Sequence, residues 1–128
     1  MPAIYLNQSL KLMSQLSDDK VINFYDKKFG ISLNNFVIIL KTGTRYSFCY
    51  NLITRMKLDG STLTLAYGGS SNEIIIKGNK LSDLFEDLNS QCVLTIREAN
   101  KEQMQLITSR GDQYEDLTFI ETIIIESE

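Results

Sequence analysis

The chain has 128 residues, of which 43% are hydrophobic and 23% are charged, a composition typical of folded globular proteins and suited to a single domain, 1–128. It contains no histidine, which excludes Ser-His-Asp and Cys-His catalysis and favours a protein that is not an enzyme. Thirteen basic and sixteen acidic residues give a net charge of −3, which disfavours nucleic acid as a partner.

The sequence predicts no membrane segment. Its apolar runs, such as those at 36–40 and 123–125, are far shorter than the roughly 20 residues that cross a bilayer. The N-terminus lacks the basic region and apolar core of a signal peptide. We therefore expect a cytoplasmic protein.

The first part of the chain is predicted to be helical. Leu6, Leu10 and Met13 fall at helical spacing. The next segment, SDDKVINFYDKKFGI, predicts a second helix, with Ser17 as its N-cap and Gly30 at its C-terminal end.

The period of the apolar pattern then changes to two, which predicts strands. NFVIILK and RYSFCY form a hairpin around the turn at 42–44. The second of these strands places three aromatic residues on one face (Tyr46, Phe48 and Tyr50) and Ser47 and Cys49 on the other. The Asp59-Gly60 pair predicts a second hairpin, between NLITRMKL, which also fits a helical turn, and STLTLAY.

The segment GGSSN, residues 68–72, could be a phosphate-binding loop or a hairpin turn. A phosphate-binding loop leads from a strand into a helix, whereas this one leads into the strand EIIIK. We predict a hairpin loop, with contact to a ligand as the alternative.

The remaining elements alternate helix and strand. The apolar stripe of NKLSDLFEDLN predicts an amphipathic helix over 81–88, whose acidic face we interpret as solvated surface (Asp83, Glu86 and Asp87). The strand QCVLTIRE follows, then NKEQMQLITSRG, a weaker helix or a loop, and finally the strand LTFIETIIIES. The fold class is α+β: a mainly antiparallel sheet or partly closed barrel of about six strands, covered by the N-terminal helices and helix 81–88.

The leading functional hypothesis is a non-enzymatic protein–protein binding or assembly module. No catalytic residue, metal ligand or cofactor is predicted. The alternative is a small-ligand-binding or enzymatic domain whose pocket lies between the sheet and helix 81–88, with polar groups from Arg45, Tyr46, Tyr50 and Tyr67. RNA binding is a weaker alternative, because basic and aromatic residues interleave in the strands.

The final strand predicts a homodimer. It places Ile120 and Ile124 on one face and Phe119, Ile123 and Ile125 on the other, so it is apolar on both. A strand of this kind is normally covered on both faces, and a second subunit could cover the face that bears Ile120 and Ile124. The alternative is a central strand of a sandwiched sheet or closed barrel, which buries both faces within one chain. The two cysteines, Cys49 and Cys92, are predicted to be buried free thiols, with a disulfide as the alternative.

Overall fold

The computed structural model describes residues 23–69, 72–109 and 116–127. In these residues the strands are Tyr25–Lys27 (β1), Asn35–Ile39 (β2), Arg45–Cys49 (β3), Ile53–Asp59 (β4), Thr62–Tyr67 (β5), Glu73–Asn79 (β6), Val93–Arg97 (β7) and Phe119–Glu126 (β8). The helices are Ser82–Asn89 (α1) and Lys101–Ser109 (α2), with a 3₁₀ turn at Tyr50–Leu52. Neither helix has the length and apolar composition that a membrane crossing requires.

The strands form two four-stranded sheets that share one core. The first sheet has the order β1-β7-β2-β3 and the second the order β4-β5-β6-β8. Every pair is antiparallel except β2–β7, which is parallel. Phe36 and Ile38 of the first sheet join Leu65 and Ile74 of the second in the same buried cluster. The α+β class and the mainly antiparallel pairing are confirmed, but eight described strands in two open sheets replace the expected six.

Both hairpins predicted from short turns are present. Gly43 and Gly60 have φ angles of 93° and 63°, which glycine adopts at little cost. The segment NLITRMKL, predicted as a strand or a helical turn, contains both, because the 3₁₀ turn precedes β4. β5 and β6 also pair as the two arms of a hairpin, and Ser70 and Ser71 of their connection lie outside the described residues.

The second predicted helix is wrong at its C-terminal end, where Tyr25–Lys27 forms β1 instead. Three contacts hold this segment against β7. The Arg97 N–H donates to the Phe24 carbonyl, the Lys28 N–H donates to the Cys92 carbonyl, and the Arg97 guanidinium pairs with Asp26. Pairing with a distant strand therefore overrides the local helical pattern. The first predicted helix and residues 17–22 lie outside the described residues.

Helix α1 confirms the amphipathic helix predicted over 81–88. Its apolar side carries Leu84 and Leu88, both fully buried in the shared core. The weaker helix predicted in NKEQMQLITSRG is also present, as α2, and none of its residues is fully buried.

Strand β8 contains a bulge that changes which side chains face the core. Lys77 pairs with Thr122 while Gly78 pairs with Ile120, so Glu121 is an extra residue on β8. A Cβ on Gly78 would lie 1.8 Å from the carbonyl oxygen of Phe119, so only glycine fits here. Because of the bulge, Ile120 lies in the core and Ile124 outside it, whereas the sequence pattern assigned both to one face.

Candidate functional site

The predicted binding tyrosines lie along a connected row of aromatic rings. The Phe48 ring on β3 is central, with ring centroids 5.0 Å from Tyr67, 5.7 Å from Phe36 and 6.3 Å from Tyr46. Phe36 in turn lies 5.0 Å from Tyr50. The row runs from the buried Tyr50 to Tyr46, which is 40% exposed, so only its Tyr46 end is open to a partner.

Tyr50 holds the backbone of β7. Its hydroxyl donates to the Val93 carbonyl at 2.8 Å and accepts the Val93 N–H at 3.1 Å. Burial raises the pKa of the Tyr50 hydroxyl well above its ordinary value, so the group stays protonated. The Tyr50 hydroxyl therefore already bonds to the backbone of its own chain.

The four predicted polar groups do not converge on one point. Arg45 and Tyr46 are consecutive on β3 and so project from opposite faces of the first sheet. The Tyr67 hydroxyl contacts the Glu126 carbonyl at 3.4 Å. Arg45 and Tyr46 remain as exposed side chains, both on β3.

No other strand of the described residues pairs with the outer edge of β3. Hydrogen bonds from the Leu40 N–H to the Thr44 carbonyl and from the Tyr50 N–H to the Asn34 carbonyl identify the hydrogen-bonded pairs of this hairpin. Pairs alternate along an antiparallel ladder, so Tyr46 and Phe48 also bond to β2. The backbone groups of the three intervening residues, Arg45, Ser47 and Cys49, consequently point away from β2.

Among the four edge strands of the described sheets, β3 is the only one that has at least five residues and no bulge. Its register with β2 has no shift over five residue pairs. By contrast, β4 and β8 each carry an extra residue, Thr54 and Glu121, and β1 has three residues only. Bulges and short length are devices that protect edges from pairing, and β3 has neither.

The edge of β8 is also covered from within the chain. The Glu98 carboxylate accepts the Ile123 N–H at 2.9 Å through Oε2, and the Ala99 N–H donates to the Ile120 carbonyl at 2.9 Å. These β8 groups face away from β6. The segment after β7 therefore occupies part of the edge that β8 would otherwise offer to a partner.

The two residues of the predicted interface are separated. Ile120 is fully buried, whereas Ile124 is 37% exposed on the outer face of the second sheet, opposite Ile75 of β6. Of the pair, only Ile124 is accessible from outside the chain.

Asp87 on α1 anchors the helix to β1. Its Oδ2 accepts the Tyr25 hydroxyl at 2.8 Å and lies 3.1 Å from the Lys27 ammonium. Burial, followed by the hydrogen bond to Asp87, raises the pKa of the Tyr25 hydroxyl. The sequence analysis assigned Asp87 to a solvated acidic face and did not predict its contacts with Tyr25 and Lys27. In the described part of the chain, no group of three or more cysteine and acidic side chains is placed to hold a metal ion.

The cysteines are free thiols in different environments. Cys92 is buried as predicted, and burial raises the pKa of its thiol above the ordinary value. Cys49 is exposed, contrary to the prediction, because it lies on the outer face of the edge strand β3.

Comparison with protein-family models, with curated proteins and with solved structures found no match. The sequence predicted Arg45 and Tyr46 as binding residues but did not indicate that β3 is an edge strand. The only signal available was the strand's mixed composition: its predicted outer positions, Arg45, Ser47 and Cys49, alternate with aromatic residues. That pattern is typical of a strand that is open on one face and does not report strand order.

Proposed function

We propose that this chain is a non-enzymatic protein-binding or assembly module that pairs an extended segment of a partner with the free edge of β3. The observation that carries the proposal is the unprotected edge itself. Backbone groups of Arg45, Ser47 and Cys49 face outward along a regular strand, next to the exposed ring of Tyr46. Addition of a strand to such an edge is a common mode of peptide recognition.

The side chains around the edge predict the partner's pattern. A bound strand would alternate between the two faces of the first sheet. Residues on the core side would pack beside Tyr46 and Phe48, so aromatic or β-branched side chains fit there. A residue on the outer side would lie near the exposed guanidinium of Arg45, which favours an acidic group.

Amide hydrogen exchange measured residue by residue tests this mode. In the unbound chain, the amides of Arg45, Ser47 and Cys49 should exchange fast, whereas those of Tyr46 and Phe48 should be protected by β2. Peptides selected from a displayed library of random ten-residue segments should slow exchange at the three outward amides by at least about tenfold.

Ser47→Pro provides the sharpest variant for the same selection. Proline removes an N–H that points away from β2 and pairs with no other described strand, and it is tolerated at edge positions. Ser47→Ala is the matched control, because it loses the same hydroxyl but keeps the N–H. Peptides that bind Ser47→Pro as tightly as the wild type, or that protect amides elsewhere, would contradict the proposal.

Ile124 supports a second candidate surface, for homodimer formation. It forms an apolar pair with Ile75 on the outer face of the second sheet. Ile124→Lys should reduce self-association measured by light scattering, whereas Leu52→Lys, at an equally apolar exposed position, should not. Equal masses for the wild type and Ile124→Lys at high micromolar concentration would contradict it.

We also propose that the chain functions in a reducing compartment such as the cytoplasm. Its cysteines are unpaired, with Cys49 at the surface and Cys92 in the interior. Labelling of intact cells with a thiol reagent should modify Cys49 without prior reduction. Recovery of Cys49 only in oxidised form would contradict this location.

A further inference from the structure

We infer that the edge of β3 is complementary to itself, so that a second copy of this chain pairs with it antiparallel about a two-fold axis at Ser47. The inference rests on the proposed strand-pairing function and names the partner. It uses the free backbone groups of β3 and the order of its five side chains.

The backbone groups match in this arrangement. With the axis at Ser47, Ser47 lies opposite the partner's Ser47, and Arg45 lies opposite the partner's Cys49. All of these residues have outward-facing N–H and C=O groups, and opposed residues of this type exchange two hydrogen bonds per pair. Each outward group of β3 thereby gains an acceptor or a donor.

The side chains also match. On the core side, Tyr46 lies opposite the partner's Phe48, and cross-strand aromatic pairs of this kind stabilise antiparallel strands. On the outer side, each guanidinium of Arg45 faces the thiol of Cys49 rather than a second guanidinium. The pairing extends the aromatic row into the second copy and opposes no like charges.

Other two-fold positions fit less well. An axis at Arg45 would place two guanidinium groups opposite each other, and cross-strand like charges are destabilising. An axis at Cys49 would run the pairing into the 3₁₀ turn that begins at Tyr50. Only the axis at Ser47 uses the whole of β3.

The contact between the two β3 strands closes on itself. A two-fold contact consumes the same edge on both copies, and a closed contact of this type does not propagate. The edges that would remain are those of β1, β4 and β8, which are short, bulged or covered. One short strand per copy predicts a weak complex, with a dissociation constant on the order of 10–100 µM.

Sedimentation velocity over about 5 µM to 1 mM tests the dimer in the full chain. The wild type and Ser47→Ala should dimerise, whereas Ser47→Pro should weaken dimerisation about tenfold or more. Cys49→Glu should tighten it about two- to tenfold by facing Arg45 of the partner, and Cys49→Lys should weaken it by a similar factor. A wild type that stays monomeric to 1 mM would overturn the inference, as would charge variants with no effect.

Disulfide trapping tests the axis even if Ser47→Pro does not fold. In Ser47→Cys combined with Cys49→Ala, the two introduced thiols lie opposite each other, at the Cα separation of about 5.5 Å that a disulfide accepts. This variant should form a covalent dimer under mild oxidation. Lys57→Cys with Cys49→Ala, on the exposed edge of β4, is the control and should form far less. Equal cross-linking of the two variants would overturn the inference.

Hydrogen exchange separates this inference from the proposed function. A monomeric wild type whose Arg45, Ser47 and Cys49 amides become protected by a selected peptide would overturn self-pairing and keep strand addition. If neither self-association nor a selected peptide protects these amides, both are overturned. Dimerisation that protects them and is lost in Ser47→Pro supports both.

Discussion

Glu98 is the only charged residue in the buried set of the described chain, and its carboxylate joins the two sheets. Oε1 accepts the N–H of Lys41, which follows β2, and Oε2 accepts the N–H of Ile123 on β8, both at 2.9 Å. The residue itself is 8% exposed. We therefore expect substitution of Glu98 to loosen the contact between the sheets.

Glu98→Gln keeps the shape of the side chain but replaces one acceptor oxygen with an NH₂ donor. One of the two backbone N–H groups then faces another donor. A hydrogen bond to a charged group contributes about 1.5–3 kcal/mol, so the expected loss of unfolding free energy is about 2–3 kcal/mol. Glu98→Ala removes both bonds and leaves the Ile123 N–H without an acceptor near the core, which raises the expected loss to about 3–5 kcal/mol.

Urea unfolding followed by circular dichroism measures both values. Glu86→Gln is the matched control, because Glu86 is exposed on α1, and it should remain within about 0.5 kcal/mol of the wild type. The slope m should be unchanged in all three variants if the folded structure is retained. A Glu98→Gln variant as stable as Glu86→Gln would refute the reasoning, because the carboxylate would then contribute no more than a surface group.

Four further predictions concern buried groups. Tyr50→Phe should cost about 2–4 kcal/mol in urea unfolding, because it leaves the N–H and carbonyl of the buried Val93 unpaired; a loss below 1 kcal/mol would contradict this. Gly78→Ala should cost about 1–3 kcal/mol or more, since its Cβ would meet backbone, whereas Gly69→Ala meets nothing within 4 Å and should change stability much less. A thiol reagent should modify Cys49 fast and Cys92 only on unfolding, with equal rates contradicting the assigned burial. Burial raises the pKa of Cys92, so the unfolded chain ionises first; stability should fall as the pH rises above 9.0, and Cys92→Ala should flatten that decline.

The sequence predicted the elements whose signal is local. Turn residues at Gly43 and Gly60 marked two hairpins, and the apolar stripe of helix 81–88 marked α1. Strand β1 was not predicted, because three residues are too few to show a period of two and the surrounding apolar residues also fit a helix. Its conformation is decided by pairing with β7, about seventy residues away in sequence, which no local pattern reports.

The sequence did contain a signal for the bulge in β8, but assigning faces by strict alternation does not take it into account. Gly78 stands within the apolar pattern of β6, and a glycine inside a strand often marks a bulge or a close approach of backbone. One extra residue at Glu121 moves Ile120 to the core side, so Ile120 and Ile124, the two predicted interface residues, lie on different faces. Glu98 had no comparable signal, because its partners, at Lys41 and on β8, are distant in sequence.

Strand order, which the sequence did not reveal, decides whether the backbone beside the predicted binding residues is accessible to a partner. Arg45 and Tyr46 were predicted from their side chains, whereas on an inner strand their backbone groups would pair with neighbouring strands on both sides. The parallel pairing of β2 with β7 places β7 on one side of β2 and leaves β3 alone on the other. The chain covers β8 with the segment after β7 and leaves β3 regular and uncovered by any other described strand. Of the described edges, only β3 has no bulge along its whole length of five residues and no covering described segment, which is the physical reason to place the partner there, since such an edge otherwise invites unwanted pairing.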